Sequence, residues 1–472
     1  METEPLIIDW MFPLLEHLHN QGQGIEVMQV LKKWAVIVGA AMVIVIGISG
    51  GATEAAAAKG TPISVYLNGK KQTFDQPPVI VNGVTLVPLR GIFEGLGAKI
   101  SLNGKTITAT KGFTTIVHTI GQYGALVDGE RIAMSQSSLV LKGRTLVPLR
   151  FIGEALDSKV SWDSGKRQVT VMALKGDELQ ARWAEKADTF VWAGKLDKLK
   201  QMLKYGWKPA LSEQAWVGSV LTKNKDIVKL FLDNGANVNV IATDEDGGNL
   251  ALLEAATLPY RVTADGDYVG TSQTSDLELL RLLLAAKPAI KELEQQIGSL
   301  LWTPASYNRL LIAQELINAG ASVKSDGERK FSAALVGAAG YVDKDGNRAI
   351  EMMELLLKNG ADANDCNCNP LEEYTALEYA SGILYDAEDG STEHKPDIRA
   401  VQLLLQYGAD PKHDNSLYEA VAADSIDVVK MLLEKGADPN KLHPIAEQTP
   451  LELARENGSK QLIALLEEKA KS

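Results

Sequence analysis

Cysteine is nearly absent, with two residues in a chain of 472. That excludes a disulfide-built scaffold and any zinc module held by four thiolates. Histidine is scarce as well, at six, which leaves little material for a histidine-rich metal site. Long apolar runs are lacking except for one, which excludes a polytopic membrane protein. Basic residues are outnumbered, 48 Lys+Arg against 60 Asp+Glu, and the net charge of −12 argues against a general nucleic-acid binder. No Walker A, Gly-x-Ser-x-Gly or His-Glu-x-x-His pattern occurs. What remains is ordinary globular material, 45% hydrophobic and 23% charged. The length implies two to four domains at about 100–200 residues each.

The charge is unevenly spread. Residues 59–176 carry 15 Lys+Arg and 7 Asp+Glu, a balance of +8, and residues 177–472 carry 31 and 47, a balance of −16. Two regions of opposite sign point to two domains with different partners. Ahead of both, residues 34–49 are almost wholly apolar, with Lys32 and Lys33 before them and Ala55 to Ala58 after. A positive flank, an apolar core and small residues at a cleavage point make a secretory signal peptide. Cleavage is expected after Ala57 or Ala58, and Met28 is the expected start. The alternative is a retained membrane anchor through residues 34–52. Either way the rest of the chain is expected outside the cytoplasm, secreted or at the cell surface.

Residues 63–173 repeat at an offset of 60. The segment 81–90 ends Thr85-Leu86-Val87-Pro88-Leu89-Arg90, and 141–150 ends Thr145-Leu146-Val147-Pro148-Leu149-Arg150. Asn68-Gly69 and Asp128-Gly129 are two-residue hairpin turns. Helices are expected at 89–96, capped by Gly97, and at 149–156, ending at Asp157. Pro88 and Pro148 fit the first helical position. Strands follow at 99–102 and 106–109, then at 159–162 and 168–172. Each unit reads as two strands, a helix and two strands. Arg90 with Glu94, and Arg150 with Glu154, fall four apart on a helix, the spacing of an ion pair or of a guanidinium turned to a ligand.

These motifs, with Val160-Ser161-Trp162-Asp163, resemble the copper amine oxidase-like N-terminal domain, or stalk domain. The resemblance implies a small α+β fold in which an antiparallel sheet wraps a helix. It does not carry oxidase chemistry here. The Asn-Tyr-Asp/Glu motif of the quinone-forming tyrosine is missing, His17-x-His19 precedes the apolar run, and His118 is the module's single histidine.

From about residue 178 an apolar helix ending in Gly-Ala-Asx recurs. Gly235-Ala236-Asn237, Gly320-Ala321-Ser322, Gly360-Ala361-Asp362, Gly408-Ala409-Asp410 and Gly436-Ala437-Asp438 carry it. Gly206-Trp207 and Lys287-Pro288 end degenerate copies. Shorter helices precede, as at Thr375-Ala376-Leu377-Glu378-Tyr379-Ala380 and Thr449-Pro450-Leu451-Glu452-Leu453-Ala454, with Ser416 to Ala420 as another. This resembles ankyrin repeats, seven or eight over 178–470, stacked as an all-α solenoid. Glutamate or tyrosine stands where the repeat's first helix has histidine, and the lost histidine bond is expected to loosen the hairpins. Insertions at 260–274, 341–348 and 385–395 are expected as surface loops between first and second helices.

Two local patterns suggest metals. Cys366-x-Cys368 is too close for an unstrained disulfide and has no histidine nearby in sequence. Asp343, Asp345, Asn347 and Glu354 match calcium-loop positions, yet Arg348 stands where the loop needs glycine. No catalytic, cofactor or metal residue is assigned, and no cofactor is expected. The expected organisation is an upstream extension and signal or anchor at 1–58, the duplicated stalk domain at 59–176 and ankyrin repeats at 177–472. The expected function is a non-enzymatic exported protein that binds another protein through the ankyrin concave face and fingers. The alternative is attachment to an anionic cell-envelope polymer through the basic module.

Overall fold

Two-residue turns at Xaa-Gly set the strand registers of the N-terminal module. Asn68-Gly69 and Asp128-Gly129 have φ of 49° and 80°, and 54° and 94°. The same turn recurs at Asn82-Gly83 and at Lys142-Gly143. Such turns match the twist of the strands they join. The computed structural model describes residues 62–243, 249–325, 333–343, 345–369, 372–382, 395–412 and 414–470. The expected signal or anchor segment, Met28, His17 and His19 lie outside the described residues, as does most of the 385–395 insertion. Among the described residues no helix is long and apolar enough to cross a membrane.

The first copy supplies β1 (Ser64–Leu67), β2 (Lys70–Lys71), β3 (Val79–Val81), β4 (Val84–Pro88), α1 (Leu89–Gly95), β5 (Lys99–Asn103) and β6 (Thr106–Lys111). After β7 (Thr114–Thr119), the second copy supplies β8 (Gly124–Val127), β9 (Glu130–Ala133), β10 (Leu139–Leu141), β11 (Arg144–Pro148), α2 (Leu149–Ala155), β12 (Ser158–Asp163) and β13 (Gln168–Ala173). The elements fall where the repeat placed them, with Pro88 and Pro148 closing the strands one position before the helices. The sheets differ from expectation, because neither copy closes on itself. Their orders are β12-β13-β1-β2, β10-β11-β4-β3 and β5-β6-β7-β8-β9. The last hairpin of each copy joins the first hairpin of the other. One pairing, β1 with β13, is parallel, with Val65 opposite Val169 and Leu67 opposite Val171. A single apolar core results, with Val65, Leu67, Val87, Ile92 and Phe93 of one copy against Val127, Val147, Ile152 and Val171 of the other.

The two helices end differently for a reason. Gly97 takes φ 83° after α1, whereas Asp157 takes φ 56° at the matching place after α2. A left-handed non-glycine costs about 1–2 kcal/mol, and here its carboxylate is employed. The helix pair α3 (Gly176–Trp192) and α4 (Leu196–Lys204) packs on the module. Trp183 Nε1 donates to Asp157 Oδ2 at 3.1 Å and Lys186 Nζ to Asp157 Oδ1 at 2.6 Å. Lys198 Nζ donates to Asp128 Oδ1 at 2.7 Å, and Phe113 meets the Trp183 ring edge-on at 5.4 Å. The chain forms two compact units. One contains the module, this helix pair and the chain to Ser219, with Asp233–Ala236, and the other contains Val220–Leu232 and the chain from Asn237 onward.

Next come α5 (Glu213–Leu221) and α6 (Lys225–Asp233), then β14 (Ile241–Thr243), β15 (Asn249–Ala251), α7 (Leu252–Thr257), β16 (Tyr260–Val262), β17 (Tyr268–Gly270), α8 (Gln273–Ala285) and α9 (Ile290–Ile297). They are followed by α10 (Trp302–Ser306), α11 (Leu310–Asn318), α12 (Ala334–Gly340), α13 (Ile350–Lys358), β18 (Cys366–Asn369) and β19 (Glu372–Thr375). The last elements are α14 (Ala376–Ser381), α15 (Ile398–Gln406), α16 (Ser416–Ala422), α17 (Ile426–Glu434), α18 (Pro450–Asn457) and α19 (Lys460–Ala470). In the second unit the short first helices α7, α10, α12, α14, α16 and α18 pack each on the next. The second helices α8, α11, α13, α15, α17 and α19 do the same. The Gly-Ala turns end second helices at positive φ, from Gly235 at 81° to Gly320 at 103°, and in the degenerate copy Lys287 is forced to 57°.

Candidate functional site

The face formed by first helices and the fingers between repeats is the candidate binding surface. Its geometry starts from glutamates at the histidine position. Thr375 caps α14, and Glu378 returns the bond, accepting from Thr375 N at 2.6 Å. Glu378 Oε1 also accepts from Asn415 N, in the next finger, at 2.8 Å. Thr375 Oγ1 donates to Asp414 Oδ2 at 3.0 Å, and Lys441 Nζ of the following finger donates to the Asp414 carbonyl at 2.8 Å. Three successive fingers are thus tied sideways. The expectation of loosened hairpins is corrected, because a carboxylate has enough acceptor capacity for both its own cap and the neighbouring finger. Burial raises the carboxyl groups of Glu378 and Asp414 above their ordinary range, and pushes Glu254 on α7 and Glu419 on α16 up to about 7.

The last finger is held by His443. Its Nδ1 accepts from Ile445 N at 3.3 Å and Ala446 N at 3.0 Å. With Nδ1 accepting, the neutral ring carries its proton on Nε2, which faces Glu419 Oε1 at 3.5 Å. Tyr418 stacks on the imidazole, ring centres 4.4 Å apart, and its hydroxyl donates to Gln448 Oε1. Burial and Lys441 hold His443 below the usual imidazole range. Around this anchor, Leu442 and Ile445 remain 57% and 65% exposed. A pinned turn that presents two apolar side chains has little entropy left to lose on binding.

Sequence reasoning passed over a buried charge cluster on the opposite side of the first helices. Asp276, fully buried at the start of α8, accepts from Arg309 at 2.5 Å and from Thr271 Oγ1 at 2.5 Å. Arg309 NH1 also donates to the carbonyls of Thr257 and Leu258, and Lys223 Nζ to those of Ala255, Ala256 and Leu258. Two cations from neighbouring repeats therefore cap the C-terminal end of α7. Burial pushes Lys223 down to about 7, against the pull of Asp276 3.8 Å away. The available signal was positional, since Lys223, Asn308 and Asp424 all hold positive φ between first and second helices, as Gly458 does.

The residues singled out for metals are engaged otherwise. Asp343 Oδ1 accepts from the backbone of Asp345 and Asn347 at 2.9 and 2.8 Å, closing a tight turn. Glu354 pairs with Lys358 at 2.7 Å, and Arg348 folds inward to the Ala339 carbonyl. Cys366 is disulfide-bonded, and the Cys368 side chain lies outside the described residues. His118 is buried between the Gly124 carbonyl at 2.8 Å and Ser138 Oγ at 2.7 Å. Among the described residues no three His, Cys, Asp or Glu side chains are gathered to hold a metal. Arg90 and Glu94 form the expected exposed pair at 3.8 Å, whereas Glu154 makes no ion pair with Arg150. The insertion at 260–274 forms the β16–β17 hairpin, with Tyr260 and Tyr268 packed edge to face at 5.1 Å.

Comparison with known proteins agrees with this geometry. Residues 66–171 match the copper amine oxidase N-terminal domain, and residues 343–443 match three copies of the ankyrin repeat. No curated protein matches the chain. The chain therefore joins a segment that matches the copper amine oxidase N-terminal domain, 66–171, to one that matches ankyrin repeats, 343–443.

Proposed function

We propose that this is an exported, non-enzymatic binding protein that recognises another protein through its first-helix and finger face. The supporting observation is the sideways tie from Glu378 through Asp414 to Lys441, which fixes the fingers before any partner arrives. Ankyrin repeats are protein-binding elements, and preorganised fingers lower the entropic cost of association. The −16 balance of residues 177–472 favours a basic partner surface and speeds encounter with it. Proximity labelling on intact cells, with the chain and with its Leu442→Asp/Ile445→Asp variant, tests the reading. It expects reproducible protein neighbours that the variant loses. Neighbours that are unchanged by the variant, or none, refute the role of this face.

A second reading rests on the +8 balance of residues 59–176, namely attachment to an anionic cell-envelope polymer. Retention of the chain on isolated cell walls should then fall steeply with salt. Retention indifferent to salt rules it out. Cleaved signal or retained anchor follows from the intact mass of the exported chain.

A further inference from the structure

The duplication sets like against like. Val87 of β4 stands opposite Val147 of β11, its counterpart 60 residues on. A local pseudo-twofold axis therefore passes between them and relates the two copies. Because the copies exchange hairpins, each of the two outer sheets takes strands from both.

Each outer sheet turns one side to the core and the other outward, and directly opposed residues share a side. In β12-β13-β1-β2 the outward side is marked by Met172, 47% exposed next to the buried Val171. Lys159 lies opposite Met172, and Lys71 lies opposite Tyr66, which alternates with the buried Val65 and Leu67. In β5-β6-β7-β8-β9, Arg131 lies opposite the outward Leu126, and Lys99 lies opposite the exposed Thr110. Each outer face thus carries an exposed cation on both of its edge strands, and among the described residues none of the four is in an ion pair. The ground between them is uncharged. Tyr66, Thr170 and Ser161 run across the first face, and Leu126, Val117, Thr108 and Ser101 run across the second. At about 4.8 Å per strand, the edges are about 14 Å apart on the first face and about 19 Å on the second.

Charges on edge strands also deter edge-to-edge pairing, and either sign serves for that. The neighbouring position on the same edges shows as much, since Lys70 is matched by Glu130 in the other copy. The outward positions keep their sign, with Lys71 matched by Arg131 and Lys99 by Lys159. Edge protection does not require that constancy.

We propose that each outer face binds a run of a linear phosphodiester polymer, so that the module grips it at two pseudo-twofold-related places. This rests on the attachment reading above and names the surface that performs it. Separate cations across a neutral, hydroxyl-bearing floor suit a polymer whose single phosphates are spaced by neutral hydroxylated linkers. Lysine meets phosphate as a point charge. Nucleic acid fits less well, because Tyr66 is the single aromatic ring in these rows and bases bind by stacking. Two modest sites on one polymer reinforce each other through effective concentration.

Calorimetric titration of the full chain with a poly(glycerol phosphate) oligomer tests this, with hyaluronate and single-stranded DNA as comparison polymers. The parent chain should take two oligomers and hold them more weakly as salt rises. Lys71→Gln/Lys159→Gln and Lys99→Gln/Arg131→Gln should each leave one binding place, and the quadruple variant none. Lys142→Gln/Lys175→Gln removes the same charge from exposed positions elsewhere in the module and should leave both. A quadruple variant that still binds, a control pair as damaging as either face pair, or equal or tighter binding of hyaluronate or DNA overturns the proposal. Face variants that self-associate while binding the oligomer as before mark the cations as edge guards and overturn it too. Isolated cell walls separate this proposal from the reading it rests on. Walls that retain the quadruple variant as well as the parent leave attachment standing without these faces, and walls that retain neither refute attachment itself.

Discussion

Replacing Arg309 by Met should open one part of the helix stack and spare the rest. The guanidinium supplies the 2.5 Å bond to Asp276 and two of the bonds that cap α7. Without it, Asp276 stays fully buried with Lys223 at 3.8 Å as its near cation. Removing one partner of a buried pair costs about 3–5 kcal/mol. In a stack whose repeats touch only their neighbours, that cost is local. Native-state hydrogen exchange should show amides of α7 and α8 losing about two to three and a half decades of protection. Those of α17 should keep theirs. The double variant Asp276→Leu/Arg309→Met should regain part of the loss, because an apolar replacement for a buried pair is often neutral. A uniform loss along the stack would refute locality. A double variant as costly as the sum of the single ones would refute the charge argument.

Two further outcomes follow from the same physics. Glu419, raised by burial to about 7, binds its proton in the folded state up to that pH and releases it near 4.5 when unfolded. Its contribution therefore falls as pH rises from about 4.5 to 7. Glu419→Gln should gain on the parent chain by roughly 3 kcal/mol between pH 4.5 and pH 8, read as the difference in urea-unfolding free energies, and a constant difference contradicts the shift. Lys287→Gly should stabilise by up to about 1 kcal/mol, since it relieves a left-handed lysine at φ 57° while adding glycine's entropy to the unfolded chain. A lower urea midpoint at unchanged slope would show that the strain is not there.

Turns, caps and helix ends were legible because they are local, whereas the insertion at 260–274, expected as a loop, pairs as the β16–β17 hairpin. Asn68-Gly69 declares its turn, Thr449-Pro450 with Glu452 declares a capping box, and Gly-Ala-Asx declares each second helix's end. Which strands pair was not legible. The Thr-Leu-Val-Pro-Leu-Arg duplication looks the same whether each copy closes alone or the two exchange hairpins, since both solutions bury the same alternate residues. Glutamate at the histidine position read as a loss because sequence shows the missing imidazole and not the waiting Asn415 amide. The Asp276–Arg309 pair spans two repeats and leaves no periodic trace.

The side-by-side run of β1 and β13 in the same direction has a mechanical outcome. The polypeptide enters this ladder at Ser64 and leaves it at Val171, at opposite ends of the pair. Tension applied between upstream and downstream segments would load the rungs together in shear, where they yield as a group, rather than peel them one after another as in a zipper.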